Sequence, residues 1–330
     1  MFRDTSIVIL DLRTADCVSL TSDILPTLII LEKLFVRGTF MGRCDLQMPS
    51  SLNCISLETG ECTSERLCSL LIKLSALGHL VECKLWNFVV QSRGEDSRAD
   101  LDKHGSHIRS KLLACDMSNI EILIDSGSNE LFEIFRDTSI GILDLRSADC
   151  VSLTSDILPT LIKLEKLYLC GTFMGRCDLQ MPSLLNFISL ERGECSSKWL
   201  CSLLIKLSAL GHLVKCELWN FVLQSHEEDS DADSNIHECD LRSKLLACNM
   251  SNIEILVKDG SNELFEIFRD TSIGILDLRT ADCVSLTSDI LPKLIKLEKL
   301  YLWGYFMGRC DLQMPSSLNC ISLQTGECSS

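Results

Sequence analysis

The densest set of potential metal ligands in the chain is Ser225–Asp240, SHEEDSDADSNIHECD. Asp229, Asp231 and Asp233 stand at alternate positions, as the oxygen donors of a twelve-residue calcium loop do, and Asp240 falls at the twelfth position. Two features oppose that chemistry. Ser234 occupies the place where the turn of such a loop needs glycine, and Asp240 is shorter than the glutamate that closes it in bidentate fashion. The aligned earlier segment puts Arg98 opposite Asp231 and His107 opposite Asp240, so a solvated acidic loop is the expectation. His79 and His212 each follow a glycine at the end of a helical stretch, where a basic group suits the helix C-terminus better than a catalytic role.

The 19 cysteines raise the possibility of disulfides, metal or redox chemistry. Their number is odd, no pair has C-x-x-C spacing, and the opening MFRDTSIVIL lacks the pattern of a secretion signal. Most recur in register, as Cys17, Cys150 and Cys283 do, and they read as small apolar side chains, reduced, in a cytoplasmic chain. The sequon Asn249-Met250-Ser251 has Asp116 in place of its asparagine in the earlier copy and carries little weight without a secretion signal. No phosphate-cradling GxxxxGK, dinucleotide GxGxxG, nucleophile elbow GxSxG or zinc motif HExxH occurs. The chain is therefore expected to be no enzyme, with no catalytic residues, cofactor or metal.

Charge and hydropathy narrow the partners. The 31 basic and 46 acidic residues leave a net −15, which repels phosphate backbones and anionic lipid, so neither nucleic acid nor a membrane surface is an expected partner. A hydrophobic fraction of 46% and a mean hydropathy of +0.20 supply a continuous core. Lys73 and Lys206 interrupt the best apolar runs before they reach the ~20 residues of a bilayer span, so no membrane insertion is expected.

The elements that must position these residues are set by repetition. FRDTSI occurs at Phe2–Ile7, Phe135–Ile140 and Phe268–Ile273, which divides the chain into blocks 1–133, 134–266 and a partial 267–330. Within the second block, five segments repeat one pattern of apolar positions: Ile140-Leu143-Leu145, Leu164-Leu167-Leu169, Leu185-Ile188-Leu190, Leu213-Cys216-Leu218 and Met250-Ile253-Ile255. Such short alternation predicts a strand with one buried face. Thirteen of these start at Ile7, Leu31, Leu52, Leu80, Met117, Ile140, Leu164, Leu185, Leu213, Met250, Ile273, Leu297 and Leu318. Helical spacing lies between most of them. SSKWLCSLLIKLSALGH places Leu200, Leu203, Leu204 and Leu207 on one face, with Ser197 as N-cap and Gly211 as stop. SNELFEIFRD repeats this on a smaller scale with Ser261 as the cap. TSDILPTLIKLEKL predicts a helix beginning at Ser155 and Asp156, with Pro159 tolerated in its first turn. GTFMGRCDLQMPS predicts an extended or 3₁₀ connection.

LPTLIKLEKLYL (Leu158–Leu169) and LPKLIKLEKLYL (Leu291–Leu302) closely resemble the signature of leucine-rich repeats. The resemblance implies an α/β fold, a solenoid of about thirteen repeats with a curved parallel sheet inside and helices and 3₁₀ segments outside, sharing one core. It treats residues 1–330 as one solenoid, a fragment of a longer array. The asparagine or cysteine usual at the ninth repeat position is replaced by Ala148, Thr172, Gly193, Phe221 and Lys258.

In such a solenoid the variable residues between the buried leucines face the concave side. These include Asp144, Arg146, Glu165, Lys166, Tyr168, Phe187, Glu191, Arg192, Lys215, Glu217, Trp219 and Asn220, extended by Tyr301 and Trp303. Aromatics among paired charges match the composition of protein-binding hot spots. The expected function is a non-catalytic scaffold that holds a protein partner on this face. The resemblance in length and cysteine content extends to the repeat region of intracellular NACHT (NOD-like) innate-immune receptors. The alternative is the substrate-recruiting repeats of an F-box ubiquitin-ligase adaptor.

Overall fold

Every one of the thirteen expected alternations forms a strand, each beginning one to three residues after the first apolar residue of its motif. That first residue lies before the strand and in most repeats is buried, as at Leu52, Leu164 and Leu185, whereas Leu80 and Leu213 are more than half exposed. The computed structural model describes residues 7–12, 25–38, 47–91, 102–126, 128–147, 155–224, 232–258, 262–279, 291–303 and 313–324. By its contacts the chain forms two units, Met1–Leu167 with Pro182–Leu184, and Tyr168–Met181 with Leu185–Ser330.

In the first unit, β1 (Ile9–Leu12), β2 (Lys33–Arg37), β3 (Cys54–Thr63), β4 (Val81–Gln91), β5 (Ile120–Ile124) and β6 (Ile142–Leu145) pair in sequence order, all parallel. One row of the register runs Leu34, Ile55, Cys83, Ile122, Leu143, and all five side chains are buried. β7 (Lys166–Phe173) contains the point where the chain passes into the second unit. There β8 (Phe187–Ser196), β9 (Val214–Trp219), β11 (Ile253–Lys258), β12 (Ile275–Leu278), β13 (Lys299–Trp303) and β14 (Cys320–Gln324) repeat the parallel order, and β10 (Val222–Gln224) also pairs with β8. The equivalent row is Ile188, Cys216, Ile255, Leu276, Leu300, Ile321. It is buried as far as Leu300, but Ile321 is 45% exposed and its neighbour Leu323 59%.

Helices cover the apolar side of each sheet. In the first unit α1 (Ser64–Ser75) packs on β3 and β4, α2 (Asp102–Ala114) on α1, and α3 (Asn129–Phe135) on α1 and β4. In the second, α4 (Ser197–Ser208) packs on β8, α5 (Ala232–Ala247) on α4, and α6 (Asn262–Phe268) on β10. The predicted stripe Leu200, Leu203, Leu204, Leu207 is buried, and Gly211 stops the helix at φ +76°. The cap is Ser196 rather than Ser197: its hydroxyl accepts from the backbone N–H of Trp199 at 3.2 Å. Ser261, the cap expected for α6, lies outside the described residues.

Two expected elements differ. The helix predicted from Ser155 shrinks to a three-residue 3₁₀ turn, Leu158–Thr160, because Pro159 offers no N–H and the next strand begins at Lys166. From Ala232 on, the acidic segment is helical rather than a loop. Asp229 and Asp231 lie outside the described residues, but α5 runs from Ala232 through Asp240, extended by an Asp240–Lys244 pair at 2.7 Å. A twelve-residue calcium loop starting at Asp229 would need that stretch non-helical, so the alternate-aspartate reading falls.

The missing ninth-position asparagines have a structural replacement. At the eighth position Thr59, Asn87, Arg192 and Asn220 all take left-handed backbone, φ +40 to +48°, which turns the chain out of the first sheet face. Beyond the corner the chain pairs again in parallel, Gly60 with Phe88 through Thr63 with Gln91, and Glu194 with Val222 through Ser196 with Gln224. Main-chain bonds thus satisfy the groups an asparagine would otherwise tie down. Gly193 is required here, since a Cβ would stand 2.1 Å from the carbonyl oxygen of Gly171. Phe221 fills the corner, buried and 6.5 Å from Phe173, which stacks on Trp199 at 4.5 Å.

Side chains also brace one coil against the next. His79 sets its ring nitrogens against the carbonyls of Leu77 (3.1 Å) and Leu52 (2.9 Å), and His212 does the same with Leu210 and Leu185. Arg109 and Arg242 donate to the C-terminal carbonyls of α3 and α6, at Ile134 and Arg136 and at Ile267 and Arg269. These histidines and arginines are structural.

Candidate binding face

The face of each sheet turned away from the core is lined by the residues that alternate with the buried ones. In the second unit the register aligns them in rows: Phe187, Lys215, Glu254, Ile275 and Lys299; then Ser189, Glu217, Leu256, Asp277 and Tyr301; then Glu191, Trp219 and Lys258; Ser189, Leu256 and Asp277 are buried and form the floor of the face. Strand β9 alternates strictly, so Val214, Cys216 and Leu218 enter the core while Lys215, Glu217 and Trp219 stand on the open side.

Trp219 is the centre of this arrangement. The Arg192 guanidinium lies 5.3 Å from its ring centroid and the Lys258 ammonium 5.4 Å from it. Lys258 is also hydrogen-bonded to Glu217, and Lys215 stands 3.8 Å from Glu254. Tyr168 and Phe187, both half-buried, hold their rings 5.3 Å apart. Further along, Arg279 stacks on Trp303 at 4.6 Å while pairing with Asp277 at 3.0 Å. Cations placed over aromatic faces are attracted by the ring quadrupole, which holds long side chains in fixed geometry.

The sequence-derived residues fall into different places. Asp144 is buried at 3% exposure and bonded to Arg146 at 2.5 Å, so it belongs to the floor of the first unit's face rather than to its contact surface. Glu165 is exposed just before β7, with its N–H on the carbonyl of Gly141, and Lys166 is exposed at the start of β7. Tyr168, Phe187, Glu191, Arg192, Lys215, Glu217, Trp219, Tyr301 and Trp303 all lie in the second unit, with Asn220 exposed at its corner. Sequence reasoning passed over Glu254, Asp277 and Arg279 and read Lys258 only as a lost asparagine. Their signal was the shared strand parity with Trp219.

The corresponding face of the first unit is charged differently. Glu82 and Lys84 stand where the second block has Lys215 and Glu217, and Asp125 stands where it has Lys258. Lys84 pairs with Glu82 at 2.8 Å, and Glu121 lies beside Glu82 in the register. Burial, with the Glu82 charge second, raises the Glu121 carboxyl above its ordinary range.

Among the described residues no three His, Cys, Asp or Glu side chains converge as metal ligands. Their cysteines are free, and burial pushes the thiols of Cys62, Cys83 and Cys216 up to about 12 and those of Cys54, Cys68 and Cys177 up to about 11. No helix among the described residues is long and apolar enough to cross a membrane. No family model matches the chain, and no curated protein matches it significantly.

Proposed function

We propose that the chain is a non-catalytic protein-binding scaffold that recognises its partner on the open face of the sheet. The observation that carries this reading is the ordered set of aromatic and charged side chains on that face of the second unit, centred on Trp219 with its two stacked cations. Rigid aromatics with satisfied charges around them supply contact area at low entropic cost, which is what protein-recognition surfaces use. The absence of nucleic-acid binding is part of the same proposal, supported by the net charge of −15. Twelve free cysteines among the described residues, eight of them buried, support residence in a reducing compartment such as the cytoplasm. Within that setting the best context is the sensor region of an intracellular NACHT-type immune receptor, a reading supported by the repeat resemblance alone.

The test is affinity capture with three versions of the chain: wild type, Tyr168→Ala/Trp219→Ala, and the helix-side control Lys73→Ala/Lys206→Ala. Proteins retained by wild type and control but lost by the double variant are expected, with circular dichroism unchanged in all three. Equal retention by all three versions would show that the open face does not bind.

A further inference from the structure

Arg192 occupies an unusual position. It sits at the left-handed corner of β8 with φ +48°, is exposed, and lays its guanidinium over Trp219 at 5.3 Å. The other cation on this ring, Lys258, faces Glu217. Among the described residues Arg192 forms no ion pair; its guanidinium meets only the indole. We propose that the Arg192–Trp219 pair seats a carboxylate side chain of an acidic peptide segment in the partner, a refinement that rests on the protein-binding reading.

The chemistry follows from the geometry. A guanidinium held over an aromatic ring can turn N–H groups away from it, and such a fork matches a carboxylate in bidentate fashion. Because the stack already fixes the arginine, little further side-chain freedom is lost when an anion binds. The half-buried rings of Tyr168 and Phe187, in the same unit, offer an apolar shelf for residues flanking that carboxylate.

The duplicated block supplies the charge argument. At the positions of Arg192 and Lys258 the first block carries Thr59 and Asp125, while Trp86 and Trp219 are matched. Replacing a neutral residue by Arg and an Asp by Lys adds three positive charges around Trp219, and Cys170 in the place of Arg37 removes one, so its setting is more positive by two charges than that of Trp86. In a chain of net −15, a local shift of that sign attracts acidic segments and repels basic ones.

The probe is a pair of fluorescein-labelled peptides, one alternating Glu with Phe and the other Lys with Phe, followed by anisotropy at low salt. The expected result is saturable binding of the glutamate peptide at one site per chain, weakened by salt, with the lysine peptide much weaker. Arg192→Thr should lower the affinity on the order of tenfold or more, the usual size of losing a charged hydrogen-bonded pair. That variant keeps the fold, since Thr59 holds the same corner in the first block at φ +40°. Conversely, Thr59→Arg with Asp125→Lys should raise the stoichiometry to two. No binding of the glutamate peptide to wild type, equal binding by Arg192→Thr, or preference for the lysine peptide would each overturn the proposal. If capture still depends on Tyr168 and Trp219 while the peptide fails, only this refinement falls.

Discussion

Replacing Trp199 and Trp219 by alanine, one at a time, separates core from open face within one molecule. Trp199 is 4% exposed and stacks on Phe173 with ring centroids 4.5 Å apart. Its removal opens a large cavity between α4 and the corner beyond β8, at a cost of about 3–5 kcal/mol. Trp219 stands on the other side of the sheet, half-buried, with a cation on either side of its environment. Its loss forfeits two cation–ring contacts worth about 0.5–1 kcal/mol each and leaves no enclosed void, so the expected cost is at most about 2 kcal/mol. Equilibrium urea unfolding followed by far-ultraviolet circular dichroism reads the difference. With a slope on the order of 3 kcal/mol/M, Trp199→Ala should lower the midpoint by about 1 M or more and Trp219→Ala by clearly less. If Trp219→Ala costs as much as Trp199→Ala, the ring is core, and the assignment of the second unit's two faces is wrong.

Equivalent glycines in successive blocks give a second test. A Cβ on Gly141 would stand 2.5 Å from the carbonyl oxygen of Ser118, whereas one on Gly274 would stand 3.2 Å from that of Ser251. Gly141→Ala should therefore cost about 1–3 kcal/mol in thermal or urea unfolding and Gly274→Ala distinctly less; equal costs would refute the close approach. Ser196→Ala should destabilise by about 1 kcal/mol through loss of the cap on Trp199, while Thr63→Ala, whose side chain makes no cap bond to α1, should cost less. The thiols set an alkaline limit: their folded pKa values lie above the ordinary 9.0, so stability is unchanged below pH 9 and falls as pH rises toward 11–12. The fall approaches about 1.4 kcal/mol per pH unit for each buried thiol such as Cys83 or Cys216, and Cys83→Ala/Cys216→Ala should flatten it in urea titrations at stepped pH. Finally, Ile321→Lys with Leu323→Glu should reduce self-association in sedimentation velocity, because these side chains are exposed on β14 while their counterparts Ile188 and Leu190 are buried; an unchanged distribution would show that β14 is not the adhesive edge.

The strands were legible because their signal is local: three apolar residues on one face of a short pleat recur whatever lies around them. Helix α4 was equally readable from its four leucines, with the cap displaced by one residue because Ser196 and Ser197 are both competent and only geometry chooses between them. The turn at Pro159 was misread as a helix because propensity alone does not register how few residues remain before the next strand. The acidic segment was misread for the opposite reason. Its aspartates suggest a loop, but the chain from Ala232 on belongs to a helix anchored by the buried Leu241 and Leu245. On the open face, the aromatics stood out by type. Of the charges that hold them, Arg192 and Glu217 also stood out, but Lys258 did not, because it lies 41 residues from its partner Glu217 in sequence. Asp144 looked like a surface residue by its alternation, and only the neighbouring strands reveal that it is covered.

The left-handed corners that follow β3 and β8 have a bearing on ancestry. Where an asparagine holds the bend, every coil must keep it, and a reader of sequences can find the family by that letter. Here the bend is secured by rungs of peptide groups, so residues as different as Gly60, Phe88 and Phe221 occupy the place, and Gly193 is confined to glycine only by the close approach of Gly171. An array built this way can lose its written signature while its architecture survives, and its relatives are better sought by shape than by spelling.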